Sequence, residues 1–146
     1  MIKNSILIIG YVWVEPNSSA AGRRMLQLIQ LFLTQGWNVT FASPAQKSEK
    51  AIDLSSIQVT EATIELNNSS FDDFVEKLAP SIVMFDRFMM EEQFGWRIAK
   101  HCPNALRILD TEDLHCLRKT RQEALKKNIR FKLDDLLTSE IAKREI

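Results

Sequence analysis

The sequence has no surplus of either charge, since 19 Lys and Arg stand against 19 Asp and Glu. A general nucleic-acid binder carries a basic excess that attracts phosphate, so nucleic acid is not an expected partner. Any positive site must come from local clustering. Cysteine is scarce: Cys102 and Cys116 stand without a CxxC or a Cys/His ligand spacing. Two such thiols build neither a disulfide framework nor a Cys/His metal module, and they read as reduced residues of a cytoplasmic protein. No stretch reaches the ~20 apolar residues that a membrane-spanning helix needs. The run from Ile6 to Val14, followed by Ser19-Ala20-Ala21, imitates a secretory leader. Gly10 interrupts that run and Glu15-Pro16 cut it off, so it is read as structure.

Glycine is rare too, and its placement excludes two nucleotide-binding fingerprints. Gly10 and Gly22 lie too far apart for GxGxxG, and no Gly-Lys-Ser/Thr is present for a Walker loop. Internal repeats, low-complexity tracts and clear linkers are also missing. What is present is 146 residues at 45% hydrophobic content, enough for a single domain over 1–146 with one core.

The order of elements follows from periodicity. Ser5 to Ile9 is a short continuous apolar run ending at Gly10, as expected of a strand buried on both faces. After a polar loop, Met25, Leu28, Ile29, Phe32 and Leu33 recur at spacings of three and four. That spacing gives a helix with one apolar face, with Ser18 or Ser19 as its N-cap and Gly36 as its stop. Trp37 to Ala42 is the next strand, and Gln46 to Ser56 a polar, weakly helical connection. Ala62 to Leu66 alternates like an edge strand, and a short helix opens at Ser69-Ser70 and ends at Pro80. Ile82 to Phe85 is a further buried strand finishing at Asp86, Glu91 to His101 a helix, and Leu106 to Leu109 the last strand, finishing at Asp110. From Leu114 the chain is helical and charged. Strands alternating with helices predict an α/β fold, Rossmann-like and doubly wound, with a mainly parallel sheet, the first strand central and helices on both faces.

In such a sheet, ligands bind beyond the carboxyl ends of the strands, and three of those ends are polar here. The loop after the first strand brings small residues and hydroxyls to a helix start, whose amides suit a phosphate or a sugar hydroxyl. Plain helix capping is the alternative. Asp86-Arg87 sets a carboxylate beside a guanidinium, which either positions a ligand or forms a local ion pair. Asp110-Thr111-Glu112-Asp113-Leu114-His115 concentrates three carboxylates and a histidine, groups able to serve as a general base or to orient a hydroxyl. An acidic helix N-terminus with His115 on the surface is the plainer account of the same residues. No second ligand cluster accompanies them, so neither a metal nor a cofactor is expected. The basic residues from Arg118 to Lys132 read as a solvated helical face or as a surface for an acceptor or for peripheral membrane contact.

At these segments the chain resembles a known family. A strand ending in Gly10-Tyr11, then EPNSSAAGRRMLQLIQLFLTQGWNVTFASPA, resembles the N-terminal domain of GT-B glycosyltransferases of the glycogen-synthase-like group. PSIVMFDRFMMEEQFGWRIAKHCPNALRILDTEDLH resembles the later part of that domain in a bacterial glycosyltransferase-like subgroup. The resemblance covers nearly the whole chain. It implies an acceptor-side domain of an enzyme that transfers a sugar from a nucleotide-sugar donor to an acceptor. Gly10, Ser18, Ser19, Ala20, Gly22 and Arg23 would then form the loop near the donor phosphates; Asp86 and Arg87 stay binding candidates from their place at a strand end alone. Asp110, Glu112, Asp113 and His115 would face the cleft as the catalytic group. The donor-binding C-terminal domain of that group, with its paired glutamates, is not among these residues, so this chain alone is expected to be inactive. A nucleotide- or phosphoryl-binding module of flavodoxin or receiver type is the main alternative. A receiver, however, would want an acidic pair where Gly10-Tyr11 stands. A dinucleotide-dependent oxidoreductase domain is held back by the missing glycine fingerprint.

Overall fold

The computed structural model describes residues 4–146, and Met1–Lys3 lie outside the described residues. Five strands form one sheet in the order β3-β2-β1-β4-β5, and every neighbouring pair is parallel. They are β1 (Ser5–Ile9), β2 (Asn38–Ser43), β3 (Thr60–Thr63), β4 (Ile82–Asp86) and β5 (Leu106–Asp110). The connecting helices are α1 (Ala20–Thr34), α2 (Ser70–Leu78) and α3 (Phe88–His101). The fold is therefore Rossmann-like α/β with β1 at the centre. Its strand order differs from the 2-1-3-4-5 order of flavodoxin- and receiver-type sheets.

The continuous apolar run of β1 is explained by two cores, one on each side of the sheet. Ile6 and Ile8 join Phe41, Met25 and Ile29 on the α1 side. Leu7 and Ile9 join Phe71, Val75, Phe94 and Ile98 on the side of α2 and α3. These four apolar side chains of β1 are at most 1% exposed, which at about 2 kcal/mol each makes this strand a main source of stability. On the second side, Arg97 is buried and its Nη1 donates to both carboxylate oxygens of Asp72 at 2.8 and 2.7 Å, tying α3 to α2.

Three elements differ from the sequence reading by more than one residue. β3 runs over Thr60–Thr63 rather than 62–66, because β2 ends at Ser43 and offers no partner beyond Thr63. Ile64 still turns into the core, whereas Leu66 is exposed. α3 starts at Phe88, three residues before Glu91, since Phe88 and Met90 bury their side chains in its first turn. The connection after β2 contains only one 3₁₀ turn, Leu54–Ile57, capped by the Asp53 carboxylate.

The contacts divide the chain into two compact units, residues 1–110 and 111–146. The second unit holds α4 (His115–Lys126), α5 (Leu133–Leu137) and α6 (Glu140–Glu145). Its own core is small: Cys116, Leu136 and Ala142, flanked by Leu117, Phe131 and Ile141. Among the described residues no helix is long and apolar enough to cross a membrane.

Candidate functional site

Within the first unit, the strand order reverses between β1 and β4, and the polar loops gather at the carboxyl ends of these strands. Gly10 ends β1 with its amide donating to the Ala42 carbonyl at 2.8 Å. A Cβ there would lie 2.3 Å from the Phe41 ring and 2.8 Å from the Val12 carbonyl, so only glycine fits. The chain then returns to the core through Trp13 and Val14, and the indole of Trp13 donates to the Ala45 carbonyl at 2.7 Å. The Glu15 carbonyl accepts from the amides of Ser18 and Ser19 at 3.1 and 3.3 Å, closing a tight loop against α1.

Helix α1 enters through Ser19, whose backbone is extended and whose hydroxyl accepts from the Gly22 amide at 3.0 Å. Capping is thus the task of Ser19, while Ser18, Ala20 and Arg23 are exposed around it. Gly22 is buried under the loop, where a Cβ would stand 2.3 Å from the Glu15 oxygen. Gly22 is thus required for backbone to meet backbone.

Asp86 and Arg87 lie at the far wall. Asp86 is 5% exposed, and Arg87 adopts a left-handed backbone with φ 76° at the start of α3. Such a conformation costs on the order of 1–3 kcal/mol in a non-glycine residue and persists only where its surroundings hold it. Here the Arg87 amide donates to the Asp110 carbonyl at 2.7 Å, and its guanidinium lies 5.0 Å from the centre of the Tyr11 ring. The Arg87 Nε is 3.9 Å from the Asp86 carboxylate. Asp86 and Asp110 are register partners at the last rung of β4 and β5, and Arg24 Nη1 approaches Asp110 Oδ2 to 2.6 Å. The β1 and β4 loops enclose a recess of about 30 Å³ lined by Trp13, Glu15, Ser19, Gly22, Asp86 and Arg87.

The acidic segment is divided between the two units. Asp110 belongs to the sheet edge, and Glu112, with φ 63°, Asp113 and His115 belong to the second unit. His115 is buried at 8% exposure, not on the surface, and its Nδ1 lies 3.2 Å from Asp113 and 3.4 Å from Glu145. Asp113 also pairs with Arg118 at 3.0 Å. The first turn of α4 contains no acidic residue, and its N-terminus is closed by Glu145. That buried carboxylate accepts from the amides of His115 and Cys116 at 2.9 and 2.5 Å. Burial pushes the Glu145 carboxyl up, but the Cys116 and His115 donors outweigh it and hold it below the ordinary glutamate range. Burial and the neighbouring Glu145 push the Cys116 thiol up, as expected of an unreactive packing cysteine.

Three participants escaped the sequence reading. Arg24 follows Arg23 directly, and the helical phase that buries Met25 could have shown that both arginines project outward. Tyr11 was read only as the end of a strand. Glu145 had no local signal, because its partners lie about thirty residues away. Comparison of the chain with known protein families, with curated proteins and with solved structures finds no match.

Proposed function

We propose that this chain is the N-terminal, acceptor-side domain of a glycosyltransferase that takes its sugar from a nucleotide-sugar donor. The observation that carries the reading is the recess at the β1/β4 reversal. It is chemically equipped, with the Ser19-capped start of α1, the buried Asp86 and the strained Arg87 on its walls. Yet it measures about 30 Å³, room for a water, whereas sites that enclose a small ligand span about 300–1,000 Å³. Polar groups on an open wall suit half of a cleft whose other half comes from a second domain. In this reading Gly10 and Gly22 let the loop lie close to a ligand, Arg87 and Arg23 offer positive charge, and Asp86 and Asp110 accept from hydroxyls.

Calorimetry with uridine, guanosine and adenosine diphosphate sugars tests the assignment. The isolated chain is expected to bind them at millimolar strength or weaker, because half a cleft leaves the diphosphate hydrated. Micromolar affinity for any of them overturns the acceptor-side assignment. In parallel, nuclear magnetic resonance titration with a panel of saccharides is expected to shift the amides of Gly10, Ser19 and Arg87. Shifts confined to other surfaces count equally against it.

A further inference from the structure

The second unit carries a segment whose composition and exposure do not suit a solvated helical face. From Leu125 to Leu133 the chain reads LKKNIRFKL, with four cations and no acid. Leu125 is 81% exposed, Ile129 55% and Leu133 63%, although each is a large apolar side chain. Lys126, Lys127, Arg130 and Lys132 are exposed among them. The inner stripe of α4, Cys116, Thr120 and Ala124, is buried, and Leu125, Ile129 and Leu133 do not join it.

The exposure does not come from a frayed end. Asn128 takes a left-handed backbone with φ 51° and stops α4. The Asn128 amide donates to the Leu125 carbonyl at 3.1 Å and the Ile129 amide to the Ala124 carbonyl at 3.0 Å, which locks the turn. Phe131 packs inward and lies 5.4 Å below the Arg121 guanidinium, fixing the far side. Asp135 is occupied in capping α5, where its carboxylate accepts from the Lys132 amide at 3.0 Å.

We propose that this turn docks the protein on an anionic lipid bilayer. Leu125, Ile129 and Leu133 enter the boundary between headgroups and acyl chains, and Lys126, Lys127, Arg130 and Lys132 meet the lipid phosphates. Apolar and cationic residues interleaved in one short ordered segment match the layering of that interface. A nucleic acid would answer the cations but leave the leucines in water. The inference concerns the second unit alone and stands or falls apart from the glycosyltransferase reading.

The test is co-sedimentation of the full chain with vesicles of phosphatidylcholine, alone or mixed with phosphatidylglycerol. Binding is expected to the mixed vesicles only, and to weaken as salt is raised. Each basic residue near such a surface contributes about fivefold, so Lys126→Glu with Lys127→Glu is expected to weaken binding about 30-fold or more. Leu125→Ser with Ile129→Ser is expected to weaken it at least tenfold. Both pairs lie on the exposed surface, so unchanged circular dichroism and melting curves show that the variants remain folded. Absence of sedimentation with the mixed vesicles overturns the proposal. So does full binding by the Leu125→Ser/Ile129→Ser variant, or a dimer in velocity sedimentation that this variant abolishes. Tight binding to an RNA oligonucleotide that survives the same pair of substitutions overturns it as well.

Discussion

Glu145 closes the N-terminus of α4 from 29 residues further along the chain, its carboxylate 2.5 Å from the Cys116 amide. A helix start leaves amides without intrahelical partners, and here the end of α6 supplies the acceptor that the neighbouring sequence does not. The unit's apolar core is small, so this cap is one of the main contacts joining α6 to α4.

Replacing the carboxylate should therefore be felt locally. Hydrogen bonds to a charged group contribute about 2 kcal/mol, and Glu145→Ala should raise amide exchange in α4 about 30-fold while leaving β1 and β4 protected. Unchanged exchange in α4 would show that the contact is incidental.

The same carboxylate sets a pH dependence. Its pKa is lowered in the folded chain, so its contribution is complete above the unfolded value of about 4.3 and is lost as pH falls through the lower, folded value. Acidification below about pH 4.3 should melt α4 to α6 earlier in the parent than other titrating groups alone would cause. Glu145→Gln removes that component, and circular dichroism of the two proteins followed down in pH should reveal different acid profiles. Superimposable profiles would refute the assignment.

Gly22 offers a test whose sign decides. Alanine is the better helix former by about 1 kcal/mol, so Gly22→Ala on an open helix would raise the melting temperature. Against the Glu15 carbonyl, 2.3 Å from the new Cβ, backbone must move, and overpacking of this kind costs about 1–3 kcal/mol. A lowered melting temperature is the expected result. A raised one would show that the β1–α1 loop yields freely, and with it the close approach on which the candidate site depends.

Much of the first unit was legible because its signals are short-range. Ser5 to Ile9 is apolar without alternation, and only a strand covered on both faces uses such a run. Ser19 and Gly36 punctuate α1 where cap chemistry requires, and Gly36 takes φ 80° past the helix end. The misplaced β3 shows the limit: Ala62 to Leu66 alternates correctly, but pairing stops where β2 stops, and that is a property of the partner. The site residues follow the same division. Gly10, Ser19, Asp86 and Arg87 converge because parallel strands end on one edge, a rule that topology alone supplies. His115 looked like a surface or cleft residue because one of its neighbours, Glu145, comes from the far end of the second unit. No local window contains it.

The strand order also governs how the chain comes into being. The partner of β1 on one edge, β2, is complete once Ser43 has been made, but the partner on its other edge must wait for β4. At ribosomal rates of about 5–20 residues per second, that edge stays open for several seconds. Throughout this interval Leu7 and Ile9 lack the cover of α2 and α3, and the backbone of the central strand remains a template for any other chain nearby. The sheet's middle, among the most deeply buried parts of the finished molecule, is thus exposed for longest during synthesis. Substitutions that delay β4 should lower the soluble yield far more than they lower the stability of the protein that does fold.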